Sequence, residues 1–253
     1  MAWNKESIVR LATVDSTNRY MRDNANELWN RYGANGFVVV TAGHQTAGRG
    51  QRGNTWSSNA GENMLLSIIV RPGETLEVSK QFLLSQAVAL CIHDAMKCYG
   101  IDTRLKWPND IYAGSRKLAG ILLELDYSGA FVEQAIIGIG LNVNQEYFPP
   151  MDRVPVSMKM LRERDFTLDD VLATVLDFFE HYYTEMRFGN RDAIAAEYKR
   201  VLLGMNERHT FIDRDGRFDA VIQDIESDGH LILRHNDGST SRYAFKEVEM
   251  VLF

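Results

Sequence analysis

The stretch Lys106-Trp107-Pro108-Asn109-Asp110 constrains the chain more than any other. Proline fixes its own φ and biases the preceding residue toward extended backbone, so a strand has to end at Trp107 and the chain has to turn. The lysine before that stop is held on a stiff frame. Such a lysine can present a fixed charge to a phosphate or carboxylate. It can equally sit on a solvated strand face with Arg104 and Asp102, which share its side by period-two alternation. The segment alone leaves both readings open.

Phe37–Ala42 and Met64–Val70 are β-branched runs that predict buried strands, and Asp102–Trp107, Lys117–Tyr127 and Phe131–Leu141 predict three more. Tyr127-Ser128-Gly129-Ala130 is the expected hairpin turn between the last two. Helical patterns cover Ser16–Asn30, Leu76–Tyr99 with Gly100 as its cap, Thr167 to about Arg187, and Asp192–Leu203. Thr167-Leu168-Asp169-Asp170 opens like a capping box with Asp in place of Glu. The aromatic stripe Phe178, Phe179, Tyr182 and Tyr183 reads as core. After Gly204, Asp215-Gly216, Asp228-Gly229 and Asp237-Gly238 punctuate short alternating runs, the pattern of an antiparallel meander. A small appended β-barrel over 204–253, behind a larger domain over 1–203, is the expected organisation.

With 253 residues, 45% apolar and 25% charged, the chain can bury a real core. A net charge of -6 disfavours sequence-independent binding to DNA or RNA, which needs a basic face. The longest apolar runs are too short to span a bilayer, and the first residues carry no apolar signal segment. Cys91 and Cys98 lie seven apart in a helical pattern, form no C-x-x-C pair, and read as core. A cytoplasmic protein is the default expectation.

Gly48-Arg49-Gly50-Gln51-Arg52-Gly53 matches G-x-G-x-x-G and follows a strand, as a dinucleotide loop would. It must also open a helix, and Asn54 through Gly61 has no helical pattern. The Rossmann reading fails, and so does a Walker loop, for want of a following Gly-Lys-Ser/Thr. What remains is a loop in which glycines admit close backbone approach and two arginines offer planar forks to an anion. A mobile surface loop explains the same residues. Trp56, just beyond, suits stacking on a purine or burial.

Gly120, Gly138 and Gly140 thin two adjacent strands, which fits either a pocket floor or close packing against a helix. The six histidines include no H-x-x-x-H pair and no cysteine partner, so no protein-built metal site is expected. No G-x-S-x-G elbow is present.

Taken in order, Ser16-Thr17-Asn18, Gln45 through Trp56, Lys106–Asp110, Lys117-Leu118-Ala119-Gly120-Ile121-Leu122 and Gly138-Ile139-Gly140-Leu141-Asn142-Val143-Asn144 resemble the biotin protein ligases. The resemblance is strong over about 10–145 and looser in the C-terminal region. It implies an α+β fold: a central mixed or antiparallel sheet packed with helices, like that of class II aminoacyl-tRNA synthetases, plus a small C-terminal β-barrel. It implies that biotin and MgATP yield biotinyl-5'-adenylate, which a lysine of a biotin carboxyl carrier protein then attacks. By position it assigns biotin contacts to Ser16, Thr17, Asn18, Gln45, Gly48, Arg49, Gly50, Gln51, Lys106, Gly120, Gly138 and Gly140. Nucleotide contacts fall to Arg52, Trp56, Asn109 and Asn142, and charge stabilisation to Lys106 and Arg49. No protein metal ligand is implied, since Mg²⁺ would be held mainly by the triphosphate.

The family loop often reads Gly-Arg-Gly-Arg-Arg-Gly; this chain has Gln51 at the second arginine, which can donate a hydrogen bond but carries no charge. Some members carry an N-terminal winged helix. Only 15 residues precede Ser16, so no DNA partner is expected, while a homodimer stays compatible. Two rival readings are a lipoate or octanoate ligase or transferase of the same fold, and a non-catalytic biotin- or nucleotide-binding regulator. The octanoyl transferases use a cysteine nucleophile, and neither cysteine here has a site-like context.

Overall fold

The computed structural model describes residues 8–33, 36–150 and 153–252. Its larger sheet contains β1 (Ile8–Val14), β2 (Phe37–Gln45), β3 (Met64–Val70), β4 (Gly73–Glu77), β5 (Arg104–Lys106), β6 (Asp110–Ala113), β7 (Arg116–Ser128) and β8 (Phe131–Leu141). The strand order is β1-β2-β3-β8-β7-β6-β5, with β4 pairing onto β8. Only β1 and β2 run parallel; the remaining ladders are antiparallel, which makes the sheet mixed as expected.

Alternation sorts the sheet into two faces. Phe37, Val39, Ile68, Val70, Ile137 and Ile139 point into the main core. There they meet α3 (Phe82–Cys98), α5 (Leu168–Phe188) and α6 (Arg191–Arg200). Val38, Val40, Ile69 and Ile136 point the other way and pack on Met21 and Leu28. Those two residues belong to α1 (Thr17–Asp23) and α2 (Ala25–Tyr32). The second pair of helices covers only one end of its face, and the open end carries the site.

A second sheet holds β9 (Arg208–Asp213), β10 (Gly216–Ile225), β11 (Leu231–His235), β12 (Thr240–Tyr243) and β13 (Val248–Met250), in the order β12-β11-β10-β9-β13. The three Asp-Gly turns fall between its strands as the meander pattern requires. It fits the expected small C-terminal β domain, although no ladder joins β12 to β13 among the described residues. Phe211, Ile222, Leu233 and Met250 nevertheless join the main core, so the two sheets share one apolar interior.

Other departures have local causes. The expected helix from Leu76 begins only at Phe82, because Gly73 and Glu77 pair with Val132 and Phe131 as β4, and Val78–Lys80 form a 3-10 turn. The expected Ser16–Asn30 helix breaks at Asn24, whose side-chain amide donates to the Tyr20 carbonyl. Thr167 caps α5 without a side-chain hydrogen bond, so the capping box is not formed. Cys91 is buried, but Cys98 is exposed where the last turn of α3 stands clear of the packing. Phe179 and Tyr183 are core, stacked at 5.7 Å. A short α4 (Met158–Arg162) was not foreseen. Among the described residues no helix is long and apolar enough to cross a membrane.

The Trp107–Pro108 peptide is cis, and Trp107 is buried. Its indole N–H donates to the Gly229 carbonyl at 2.9 Å, and its ring meets Phe245 edge-on at 5.4 Å. The turn that ends β5 is thus bolted to the second sheet. Trp107→Phe leaves a buried carbonyl unpaired and is expected to cost about 1–3 kcal/mol. A urea midpoint equal to that of the parent would contradict this.

Candidate active site

Antiparallel register lines up three cross-strand rows on the partly open face. The first is Val38, Ile69, Ile136 and Glu124; the second is Val40, Ser67, Gly138 and Leu122. The third runs Ala42, Leu65, Gly140, Gly120, Asp110 and Lys106. Apolar side chains fill the first row under α1 and α2. Glycine then replaces them, and the third row ends in a carboxylate and an ammonium.

The glycines are required by what lies on them. A Cβ on Gly140 would stand 2.4 Å from Cε2 of Trp56, and one on Gly120 would stand 3.1 Å from the same ring. A Cβ on Gly138 would stand 2.4 Å from Oδ1 of Asn18. Gly120 and Gly140 make room for the Trp56 ring, whereas Gly138 makes room for Asn18 of α1, so both expected readings apply, each to different glycines. The Trp56 indole N–H is buried and finds no acceptor. Lys117 Nζ lies 5.6 Å from the ring centroid, a cation–π contact.

Ser16, Thr17 and Asn18 are buried at the start of α1. The backbone N–H of Thr17 donates to Gln45 Oε1 at 2.7 Å, and the Thr17 hydroxyl lies 3.0 Å from the same oxygen. Ser67 Oγ is 2.8 Å from Thr17 Oγ1 and 2.6 Å from Asn18 Oδ1. Asn18 Nδ2 donates to Glu124 at 3.1 Å. Two hydroxyl protons therefore serve three oxygen–oxygen contacts (Thr17–Gln45, Thr17–Ser67, Ser67–Asn18), one too few. The end of the pocket carries surplus acceptors.

The glycine-arginine segment is not a free loop. The backbone N–H of Gly50 donates to Asn54 O at 2.7 Å and that of Trp56 to Gly48 O at 2.9 Å, closing a small hairpin around a 3-10 turn at Gln51–Gly53. Lys246, from the second sheet, donates to the Gln51 carbonyl at 2.9 Å. Arg49 reaches across to Glu124 at 3.2 Å.

Lys106 is only 6% exposed, so the solvated-face reading fails. Burial holds its ammonium below the ordinary lysine range and Arg153 adds repulsion, while Asp110 and Glu249 pull the other way. Asp110 is equally buried, with one oxygen 2.7 Å from Lys117 and the other 2.7 Å from Arg153. Arg153 also reaches Glu249 of the second sheet at 3.2 Å. The Lys106 ammonium makes no hydrogen bond or ion pair with the described residues.

A cavity of about 1710 Å³ opens between this face and the second sheet. Ser16, Thr17, Asn18, Gln45, Arg49, Gly50 and Gln51 line it, as do Trp56, Lys106, Asn109, Gly120, Gly138, Gly140 and Asn142. Gly48 does not; its missing side chain makes room for the Trp56 carbonyl, which a Cβ would meet at 2.3 Å. The Arg52 side chain lies outside the described residues. Asn109 and Asn142 donate their side-chain amides to backbone carbonyls of Ile121 and Val156, so both also brace the walls.

Sequence reasoning left out Ser67, Asp110, Lys117, Glu124 and Arg153. Following the Gly120–Leu122 face one step further along β7 reaches Glu124, and Lys117 stood inside a motif without being singled out. Arg153 lies in an irregular segment with no periodic signal. Histidine and cysteine spacing also missed Glu226, Asp228 and His230, whose polar atoms lie within 4.8 Å of one another and which do not themselves line the cavity. Arg242 ion-pairs with both of those carboxylates at 2.6 Å.

A glycine-floored sheet thus faces a cation cluster and an acceptor-rich end, and comparison with known proteins places such a chain among protein ligases. The family described as the biotin/lipoate A/B protein ligase family matches residues 11–142. The bifunctional ligase/repressor BirA of Bacillus subtilis is 32% identical over 223 residues, covering 87% of this chain and 68% of the relative. The biotin–[acetyl-CoA-carboxylase] ligase of Mycobacterium tuberculosis is 33% identical over 202 residues, covering 78% of this chain and 73% of its own. Among solved structures, the biotin protein ligase from Aquifex aeolicus in complex with biotin and ATP superposes with a TM-score of 0.79 at 22% identity, covering 97% and 99% of the two chains. The chain belongs to the biotin/lipoate A/B protein ligase family. The two sequence relatives are named as ligases, one of them for biotin and the other also as a repressor.

Gly140→Ala should lift Trp56 off the floor. Tryptophan emission is expected to move to longer wavelength, with no such shift when the change is made in Trp56→Phe. An unchanged spectrum in the parent background would show that the ring does not depend on the glycine.

Proposed function

We propose that the protein joins biotin to a lysine of a biotin carboxyl carrier protein, through a biotinyl-5'-adenylate made with MgATP. Lys106 carries this reading: a buried ammonium with no protein anion in contact is costly unless a ligand supplies one. Adenylation brings a carboxylate to an α-phosphate, so two anions must be held together. Lys106 and Arg49 neutralise them as the crowded transition state forms, and Lys117 stands on the same side. Asp110 already serves Lys117 and Arg153, which fits a Mg²⁺ ion that arrives on the triphosphate as part of the substrate.

The acceptor surplus at Thr17, Ser67 and Gln45 favours biotin over lipoate or octanoate. A ureido ring brings N–H donors to oxygens that lack protons; a plain acyl chain brings none. Once the adenylate exists, an oriented amine is the main requirement, so positioning supplies most of the second step. The hairpin of Arg49 and Gly50 would cover the adenylate, with Trp56, lying on the glycines, meeting the adenine. The proposed setting is the cytoplasm, in keeping with two unpaired cysteines; no DNA partner is part of the reading, and a homodimer is compatible with it.

Biotin-dependent exchange of pyrophosphate into ATP tests the reading, run beside lipoate and octanoate. Exchange with biotin alone is expected; exchange with lipoate would favour the rival acyl ligase, and none at all a binding protein. Lys106→Ala should lower exchange by about a hundredfold or more, and near-normal exchange would remove its role. Because burial lowers the Lys106 pKa, its charge is lost as pH rises before the ordinary lysine value of 10.5 is reached. The alkaline limb of exchange should therefore fall below that value, and a limb at or above it would contradict the assignment. Gln51→Arg is expected to slow escape of the adenylate measured without acceptor; equal escape rates would show that the extra charge holds nothing.

A further inference from the structure

We propose that Glu124 is a positioning residue that ties the setting of Arg49 to the polar end of the pocket; the proposal rests on the ligase reading. Glu124 ends the apolar first row on β7, yet its side chain is only 17% exposed. A carboxylate so placed needs donors, and it has three near it. Asn18 Nδ2 donates to Oε2 at 3.1 Å, Arg49 Nη1 stands 3.2 Å from Oε1, and Arg22 Nη2 lies 3.9 Å from Oε2.

Each near contact has a separate consequence. An ionised carboxylate only accepts, so Asn18 must turn its NH₂ toward Glu124 and its oxygen toward Ser67. Gly138 beneath leaves Asn18 no room to sink: a Cβ there would already be 2.4 Å away. The Ser67 hydroxyl must then donate to Asn18 and cannot donate to Thr17. Glu124 thereby sets the direction of the hydroxyl chain and keeps the acceptor surplus at the Thr17–Gln45 end. Its other oxygen holds Arg49 by a single guanidinium nitrogen, which leaves the remaining donors of the fork for an anion. One carboxylate thus fixes both the group that reads the ring and the cation of the glycine hairpin.

Biotin affinity measured by calorimetry on the full chain decides the matter. Glu124→Gln keeps the volume, and lets Asn18 turn over and Arg49 drift. It should raise the biotin Kd about tenfold. In an Arg49→Ala background the same change should have a clearly smaller effect, because half of its action passes through that arginine. Asp126→Asn, which removes a neighbouring carboxylate paired with Arg22 at 3.4 Å, should leave the Kd near the parent value. Parental affinity in Glu124→Gln, equal losses in both backgrounds, or an equal loss in Asp126→Asn would each overturn the proposal. If Glu124→Gln does not fold, Glu124→Asp withdraws the carboxylate by one methylene and is judged by the same outcomes. A parent protein without biotin affinity would overturn the ligase reading itself, which sets that failure apart from this one.

Discussion

The register between β3, β8 and β7 is the constraint on which the rest of the structure depends. Because Leu65, Gly140 and Gly120 face one another across three strands, two missing side chains fall side by side and leave room for an indole. The same row continues through Asp110 to Lys106, so the charged end of the site is set by the ladder that holds the sheet together. No loop has to find that alignment.

The charges around the floor differ in kind. Lys117 and Arg153 share the buried Asp110 and Arg49 has the partly buried Glu124, so these cations have protein anions to hold them when no ligand is bound. Lys106 does not. A site whose cations were all paired would bind an anion weakly, since every contact would first have to be exchanged. One with none paired would be hard to fold. The arrangement lies between these extremes, and the second sheet contributes to it through Glu249, Lys246 and the carbonyl that receives Trp107.

Much of this was legible in the residues and some was not, for physical reasons. Met64–Val70 falls where its β-branched run predicts, because a strand buried on both faces advertises itself by composition. Edge elements do not: Ile8–Val14 alternates poorly, and Gly73–Glu77 is a strand only because β8 offers it a partner. The Leu76 start of a helix failed for that reason. At the site, the glycines, Lys106 and the residues at the start of α1 carried visible signals. Ser67, Asp110 and Glu124 did not, since each matters through a neighbour that only the register reveals. Gly48 shows the converse, a glycine in a ligand-like motif whose absent side chain serves the protein's own backbone.

Strand slippage gives the three rows a second meaning. Shifting β7 by one residue against β8 would exchange its faces, sending Gly120, Leu122 and Glu124 into the helix-covered core and Ile121 out over the cavity. The misaligned chain would bury a carboxylate without donors and leave a void where two glycines met. The polar features that equip the pocket for chemistry therefore also penalise the nearest wrong pairing. Selection for the reaction and selection for a unique fold act on the same few positions.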